Sequence, residues 1–120
     1  MGELAGLRAL VVEDEGSVAL LIEDMLEQLG CVVAASVATL GKALSAASVE
    51  PFDFAVLDVN LGGELVFPVA QELQSRNIPF IFSTGYGRMG MPATFSDCQV
   101  LAKPFAPAEL ERALCIALRR

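Results

Sequence analysis

Five short apolar runs alternate along the chain with segments whose apolar side chains recur every three or four residues. The runs have the length and composition of β-strands, and they cover residues 7–12, 31–35, 52–61, 79–83 and 99–102. The periodic segments predict α-helices, and they cover residues 18–29, 38–47, 68–76 and 107–117. Strands that alternate with helices predict an α/β fold, a doubly wound parallel sheet of five strands.

Glycine and proline define several element boundaries. Gly30 is placed to end the first helix, and Pro68 and Pro107 suit the first turn of the third and last helices, because proline lacks an N–H that the first turn would leave unpaired. Residues 85–92 hold three glycines and one proline and few helix formers. We therefore expect the fourth helix to be short or disordered.

Composition narrows the class of protein. A chain of 120 residues, 54% of them hydrophobic, predicts a single domain over residues 1–120 with a core from about 7 to 118. The net charge of −7 argues against nucleic acid as a direct partner, and no apolar run approaches the ~18 residues of a membrane span. Three dispersed cysteines without any histidine exclude a zinc site and favour the reducing cytoplasm.

Polar side chains stand where the predicted strands end. In an open parallel sheet the ligand site lies beyond the carboxyl ends of the strands. Each residue there, taken alone, has a structural explanation as a cap or turn residue, but together they favour a site. In strand order they are Glu13 and Asp14, Asp58 and Asn60, Ser83 and Thr84, and Lys103.

These residue types suit one kind of chemistry. Three carboxylates that meet at one point repel one another unless a cation lies between them, and hard oxygen ligands suit Mg²⁺. With the Lys103 ammonium beside it, the Asp58 carboxylate can attack phosphorus, and Thr84 can hydrogen-bond a phosphoryl oxygen. The residues predict an aspartyl-phosphate site that needs Mg²⁺, for which Mn²⁺ can substitute.

Four segments together resemble the receiver domain of two-component response regulators. They are VVEDE at 11–15, VLDVN at 56–60, STG at 83–85 and AKPF at 102–105. The resemblance covers residues 7–118 and implies a flavodoxin-like (βα)5 fold with strand order 2-1-3-4-5. It also implies a cis peptide bond before Pro104.

The resemblance implies a role for each site residue. Asp58 is the implied phosphoacceptor, and Thr84 and Lys103 are implied to contact the phosphoryl group. The implied Mg²⁺ ligands are Asp14 directly, Glu13 through water, Asp58, and Asn60 through its backbone carbonyl.

Two features depart from the usual receiver pattern. Val100 stands where most receivers have an aromatic residue that rotates on activation, and the segment between Thr84 and Lys103 is short and rich in glycine. With the sequence of residues 79–86, both features are similar to the FATGUY subgroup, many of whose members stand alone. Tyr86 either takes over part of the signalling role or is an ordinary loop aromatic, and we expect a partner surface that involves Val100 and Ile116.

The resemblance implies a phosphoacceptor rather than an enzyme. A sensor histidine kinase is the implied phosphoryl donor, and a downstream phosphotransfer or effector protein is a further possible partner. We expect the protein to be cytoplasmic and to be a monomer or a weak homodimer. One alternative is a constitutive interaction module that ignores phosphorylation. A haloacid-type hydrolase is disfavoured because position 60 is Asn rather than Asp and because the nucleophile follows the third strand.

Overall fold

The computed structural model of the chain describes residues 3–85 and 91–119. Seven strands, four α-helices and one 3-10 turn follow one another in this part of the chain. The strands are β1 (Arg8–Val12), β2 (Val32–Val37), β3 (Phe54–Asp58), β4 (Asn60–Leu61), β5 (Glu64–Leu65), β6 (Phe80–Thr84) and β7 (Val100–Ala102). The helices are α1 (Gly16–Gln28), α2 (Leu40–Val49), α3 (Phe67–Ser75) and α4 (Pro107–Leu118), and the 3-10 turn is Ala93–Phe95.

Five strands form one parallel sheet in the order β2-β1-β3-β6-β7. This is the predicted 2-1-3-4-5 order once the two-residue strands β4 and β5 are left out of the count. The prediction of a doubly wound, flavodoxin-like sheet is confirmed, and the carboxyl ends of β1, β3, β6 and β7 meet at one edge.

Two apolar clusters cover the two faces of the sheet. One joins the sheet to α2 and α3, and it includes Leu10, Leu57 and Phe82. The other joins the sheet to α1 and α4, and it includes Val11, Val56 and Ile81. Successive strand residues alternate between the clusters because side chains in a strand point to opposite faces in turn.

The structure refines several predicted boundaries. The buried run at 52–61 is a parallel strand only over Phe54–Asp58, and residues 60–65, of which 64 and 65 were expected in a loop, form the small antiparallel hairpin β4–β5. Helix α2 begins at Leu40, two residues later than predicted. Thr39 precedes it as the N-cap, and its side chain accepts a hydrogen bond from the backbone N–H of Lys42. Helix α4 begins at Pro107 as predicted.

A cluster of phenylalanines occupies the space beside the connection from β6 to β7. Phe95 of the 3-10 turn is 1% exposed, and its ring stacks on Phe67 at 5.6 Å between centroids. Phe80 and Phe82 of β6 meet Phe95 edge-on, at 6.1 and 5.5 Å. Among the described residues of this connection the 3-10 turn is the only helical element, in line with the expected short fourth helix.

Two further findings concern the backbone and membranes. The Lys103–Pro104 peptide bond is cis, as the resemblance implied. Within residues 3–85 and 91–119, each helix is too short or too polar to cross a bilayer.

Candidate functional site

Three strands deliver charged side chains to one face of the sheet at its carboxyl edge. Glu13 follows β1, Asp58 ends β3 and Lys103 follows β7. The residue two positions before each of them packs in the cluster against α1 and α4, so all three side chains leave the sheet on that face. The Lys103 N–H donates to the carbonyl of Thr84 at 2.9 Å, which extends the pairing of β7 with β6 to the site.

The Lys103 ammonium bridges two carboxylates. Its Nζ lies 2.7 Å from Oε1 of Glu13 and 3.4 Å from Oδ1 of Asp58. The Lys103 side chain is 23% exposed, whereas those of Glu13 and Asp58 are almost fully buried. Because water screens these charges poorly, the ion pairs hold the ammonium firmly beside Asp58.

Three acidic side chains converge beside this ammonium. One carboxylate oxygen each from Glu13, Asp14 and Asp58 lies within 4.8 Å of the other two. Glu13 is fixed further, since its Oε2 accepts a hydrogen bond from the Glu15 N–H at 3.1 Å. Asp14 remains exposed, so the cluster opens to solvent on that side.

Burial and crowding shift the pKa values of the site. Burial raises the pKa of Asp58 to about 7, with a further contribution from the hydrogen-bonded and negatively charged Glu13 that outweighs the attraction of Lys103. Burial also acts to raise the pKa of Asp14, but hydrogen bonds from Asp58, Glu13 and the backbone of Asp14 and Gly62 lower it overall. Burial works to lower the pKa of Lys103, and its two carboxylate partners raise it above the usual value.

This donor set fits a hard divalent cation. Burial, together with the neighbouring carboxylate of Glu13, raises the pKa of Asp58 to about 7. A cation between the three carboxylates would remove their mutual repulsion. Gly62, at φ 64°, lies next to the cluster, since a Cβ built there would be in ordinary contact with Oδ2 of Asp14, at 4.0 Å. The oxygen-only ligands favour Mg²⁺ over the softer transition metals.

Asn60 lies beside the cluster in the β4–β5 hairpin. Its Oδ1 accepts a hydrogen bond from the Gly63 N–H at 2.7 Å. The side chain is therefore engaged inside the turn, which leaves the backbone carbonyl as the predicted contact to a cation.

The remaining predicted residues lie in different places. Thr84 is 5% exposed at the end of β6, and Tyr86 lies outside the described residues. Val100 is partly buried against the cluster that holds α2 and α3, whereas Ile116 is 53% exposed on α4, the helix that covers the other face. Ile116 lines one cavity with Cys98 and Gln99, the two residues before Val100, and a partner surface that involves Val100 and Ile116 stays a prediction.

One polar side chain at the site, that of Ser83, lies in an environment that the sequence did not predict. Ser83, the β6 partner of Asp58 in the strand register, is fully buried. Its Oγ has no hydrogen-bond partner among the described residues. The sequence located Ser83 at a strand end but carried no signal that its hydroxyl is unpaired.

Comparison with known proteins identifies the family. The family model of the response regulator receiver domain matches residues 9–115. The chain therefore belongs to the response regulator receiver domain family, in agreement with the strand order and with the acidic cluster beside Lys103. No curated protein matches the chain.

Several solved structures are similar over almost the whole chain. SdrG from Sphingomonas melonis Fr1 is 40% identical, with a TM-score of 0.84 over 100% of both chains. The receiver domain of the sensor histidine kinase PA1611 from Pseudomonas aeruginosa PAO1 is 28% identical, with a TM-score of 0.80 over 97% of this chain and 100% of that one, and it holds a magnesium ion in its active site cleft. The response regulator PhyR from Brucella abortus is 28% identical, with a TM-score of 0.82 over 97% of this chain and 49% of its own.

Proposed function

We propose that this receiver domain accepts a phosphoryl group on Asp58 from the phosphohistidine of a sensor histidine kinase, and that the acyl phosphate switches a protein-binding face. The observation that carries the proposal is the ammonium of Lys103, 3.4 Å from Oδ1 of Asp58, at the mouth of an acidic cluster that opens to solvent. A carboxylate that served only as a cap would need neither partner.

The chemistry assigns one task to each residue. An Asp58 oxygen attacks phosphorus, the phosphorus–nitrogen bond of the phosphohistidine breaks, and the imidazole nitrogen keeps the electron pair. Lys103 stabilises the negative charge on the phosphoryl oxygens and Thr84 donates a hydrogen bond to one of them. Mg²⁺ bound by Glu13, Asp14, Asp58 and the Asn60 carbonyl would supply further positive charge to the same oxygens.

The domain acts as a switch rather than as an enzyme with turnover on a substrate. Water hydrolyses the acyl phosphate and returns Asp58 to its free state. The added charge attracts Thr84 and Lys103 inward, which shifts the connection from β6 to β7 and so the surface that a partner reads. We propose that the domain acts in the cytoplasm, where it would meet its kinase and a downstream protein.

Asp58→Asn in parallel with Asp24→Asn tests the phosphoacceptor. Asp24 is an exposed residue of α1 and serves as the matched control for the loss of one carboxylate. With acetyl phosphate and Mg²⁺, the wild-type chain and the Asp24→Asn variant should gain the mass of one phosphoryl group, and the Asp58→Asn variant should gain none.

Two results would contradict the proposal. Phosphoryl uptake by the Asp58→Asn variant would assign another acceptor. The wild-type chain could also take up no phosphoryl group from acetyl phosphate or a kinase and show no change in its amide NMR spectrum with beryllofluoride. The domain would then be a constitutive interaction module.

A further inference from the structure

The hydroxyl of Ser83 is buried without a partner at the centre of the site. The residue is 0% exposed, and its Oγ lacks a hydrogen bond within the part of the chain that the structure describes. A buried hydroxyl that forms no hydrogen bond destabilises the fold, and an alanine would fit the same space without that penalty. Such a group in a site calls for a partner in another state of the protein.

The sheet places this hydroxyl beside Asp58. Ser83 and Asp58 are partners in the register of β6 and β3. Ile81, two residues before Ser83, packs in the cluster against α1 and α4, so the Ser83 side chain leaves the sheet on the same face as Asp58 and Lys103.

The path of Lys103 brings it over Ser83. Strand β6 lies between β7 and β3 in the sheet. Lys103 starts at the end of β7, and its Nζ reaches Asp58 on β3 and Glu13 beyond β1. The lysine side chain must therefore cross β6 on the face that carries Ser83.

The ammonium has one more donor than the two carboxylates use. An ammonium carries three N–H bonds. Glu13 accepts one of them in a hydrogen bond, and Asp58 is an ion-pair partner at 3.4 Å. The stronger of these contacts, at 2.7 Å, is to Glu13, a residue whose carboxylate also faces the acidic cluster. When Glu13 turns to a bound cation, the ammonium needs a replacement acceptor.

We propose that Ser83 is a positioning residue whose hydroxyl accepts a hydrogen bond from the Lys103 ammonium once Glu13 turns to a cation, and so keeps the ammonium beside Asp58. Serine offers this acceptor in a volume small enough for the lysine stem to pass. The consequence for phosphoryl transfer rests on the proposed function, whereas the hydrogen bond itself does not.

The first test measures the Lys103 amine directly. The chain has only two lysines, Lys42 and Lys103, so exposed Lys42 is an internal reference in competitive acetylation with acetic anhydride, read by peptide mass spectrometry. In the presence of Mg²⁺, acetic anhydride should acetylate Lys103 three- to tenfold faster, relative to Lys42, in the Ser83→Ala variant than in the wild-type chain. The reason is that the Lys103 ammonium has lost its hydrogen-bond acceptor in the variant.

Two controls separate this effect from a general loss of structure. Ser75→Ala removes a hydroxyl that donates to the Glu72 carbonyl on α3, away from the site, and should leave the ratio unchanged. A thermal midpoint of the Ser83→Ala variant at or above the wild-type value shows that the fold is intact. An unchanged labelling ratio in Ser83→Ala overturns the proposal.

The second test concerns phosphoryl transfer. Uptake from acetyl phosphate in Mg²⁺ should be three- to tenfold slower in Ser83→Ala than in the wild-type chain and in Ser75→Ala. A changed labelling ratio with an unchanged uptake rate overturns the positioning role in transfer. If the wild-type chain takes up no phosphoryl group, the proposed function fails while the labelling test still decides the hydrogen bond.

Discussion

At the scale of single residues, the state of Asp58 is set by its neighbours. The residue is 7% exposed, and the nearest ammonium is shared with Glu13. Burial and the adjacent carboxylate therefore raise the pKa of Asp58 to about 7 from 3.8. A metal-free domain near neutral pH is a mixture of protonated and ionised Asp58.

This pKa predicts how stability changes with pH. Between pH 3.8 and about 7, the folded state holds a proton on Asp58 that the unfolded chain has lost, so the free energy of unfolding decreases as pH rises. Without Mg²⁺, we expect a decrease of roughly 1–3 kcal/mol from about pH 5 to about pH 8, measured by urea denaturation. The lowered pKa of Asp14 and the raised pKa of Lys103 act outside this window.

The Asp58→Asn variant isolates the contribution of this residue. Its stability should depend much less on pH across the same range, and at about pH 8 it should exceed that of the wild-type chain. A variant that loses as much stability as the wild-type chain would show that another group titrates.

The sequence predicted which residues form the site, but not their pKa values or their hydrogen bonding. Glu13, Asp58 and Lys103 were expected together because parallel strands end at one edge, and the structure brings them together. The raised pKa of Asp58 depends on burial by other elements, and the unpaired hydroxyl of Ser83 depends on register and rotamer. Neither property has a local signal in the sequence.

At the scale of elements, helix α2 shows how one polar side chain defines a boundary. The first turn of the helix has no acidic residue to stabilise the positive end of the dipole and carries the cation Lys42 instead. Thr39 supplies the side-chain cap. Thr39→Ala should lower the free energy of unfolding by about 0.5–2 kcal/mol, measured by chemical denaturation.

Two variants frame this measurement. Thr39→Ser keeps the hydroxyl and should lose much less stability. Ser48→Ala, which removes an exposed hydroxyl that bonds the Leu44 carbonyl within the same helix, should change stability by less than about 0.5 kcal/mol. If Thr39→Ala were as stable as the wild-type chain, the cap would contribute nothing.

The elements that sequence reasoning missed are the shortest ones. All five sheet strands were predicted because their apolar runs are long enough to show a pattern. The β4–β5 hairpin has two-residue strands, too short for any periodicity, and it forms because Gly62 and Gly63 adopt positive φ. The 3-10 turn agrees with the short fourth helix that the sequence predicts, but its position depends on Phe95 within its aromatic cluster, a contact between residues far apart in the chain.

At the scale of the whole molecule, cation binding couples the site to the stability of the fold. Glu13 and Asp14 follow one strand, and only folding brings Asp58, from another strand, beside them. A cation that binds all three carboxylates therefore favours the folded state. With Mg²⁺ at about 100 times its dissociation constant, the free energy of unfolding should rise by about 2.7 kcal/mol, measured by thermal or urea denaturation.

The acidic cluster should account for this effect. Asp14→Asn removes one ligand and should abolish most of the stabilisation, whereas Asp24→Asn should retain it. An Asp14→Asn variant that Mg²⁺ stabilises as much as the wild-type chain would place the cation elsewhere.

Strand β2 closes one side of the sheet, and its sequence, VVAASV, contains no charged residue. An uncharged edge strand presents unpaired N–H and C=O groups to which another chain can add. Electrostatic repulsion between copies near neutral pH therefore comes from the net charge of −7 and not from charges on this strand. When the carboxylates are protonated at acidic pH, we expect self-association to begin at this edge. A lysine introduced at the exposed position of Ser36 should reduce it, because a charged side chain on an edge strand opposes the pairing of another chain.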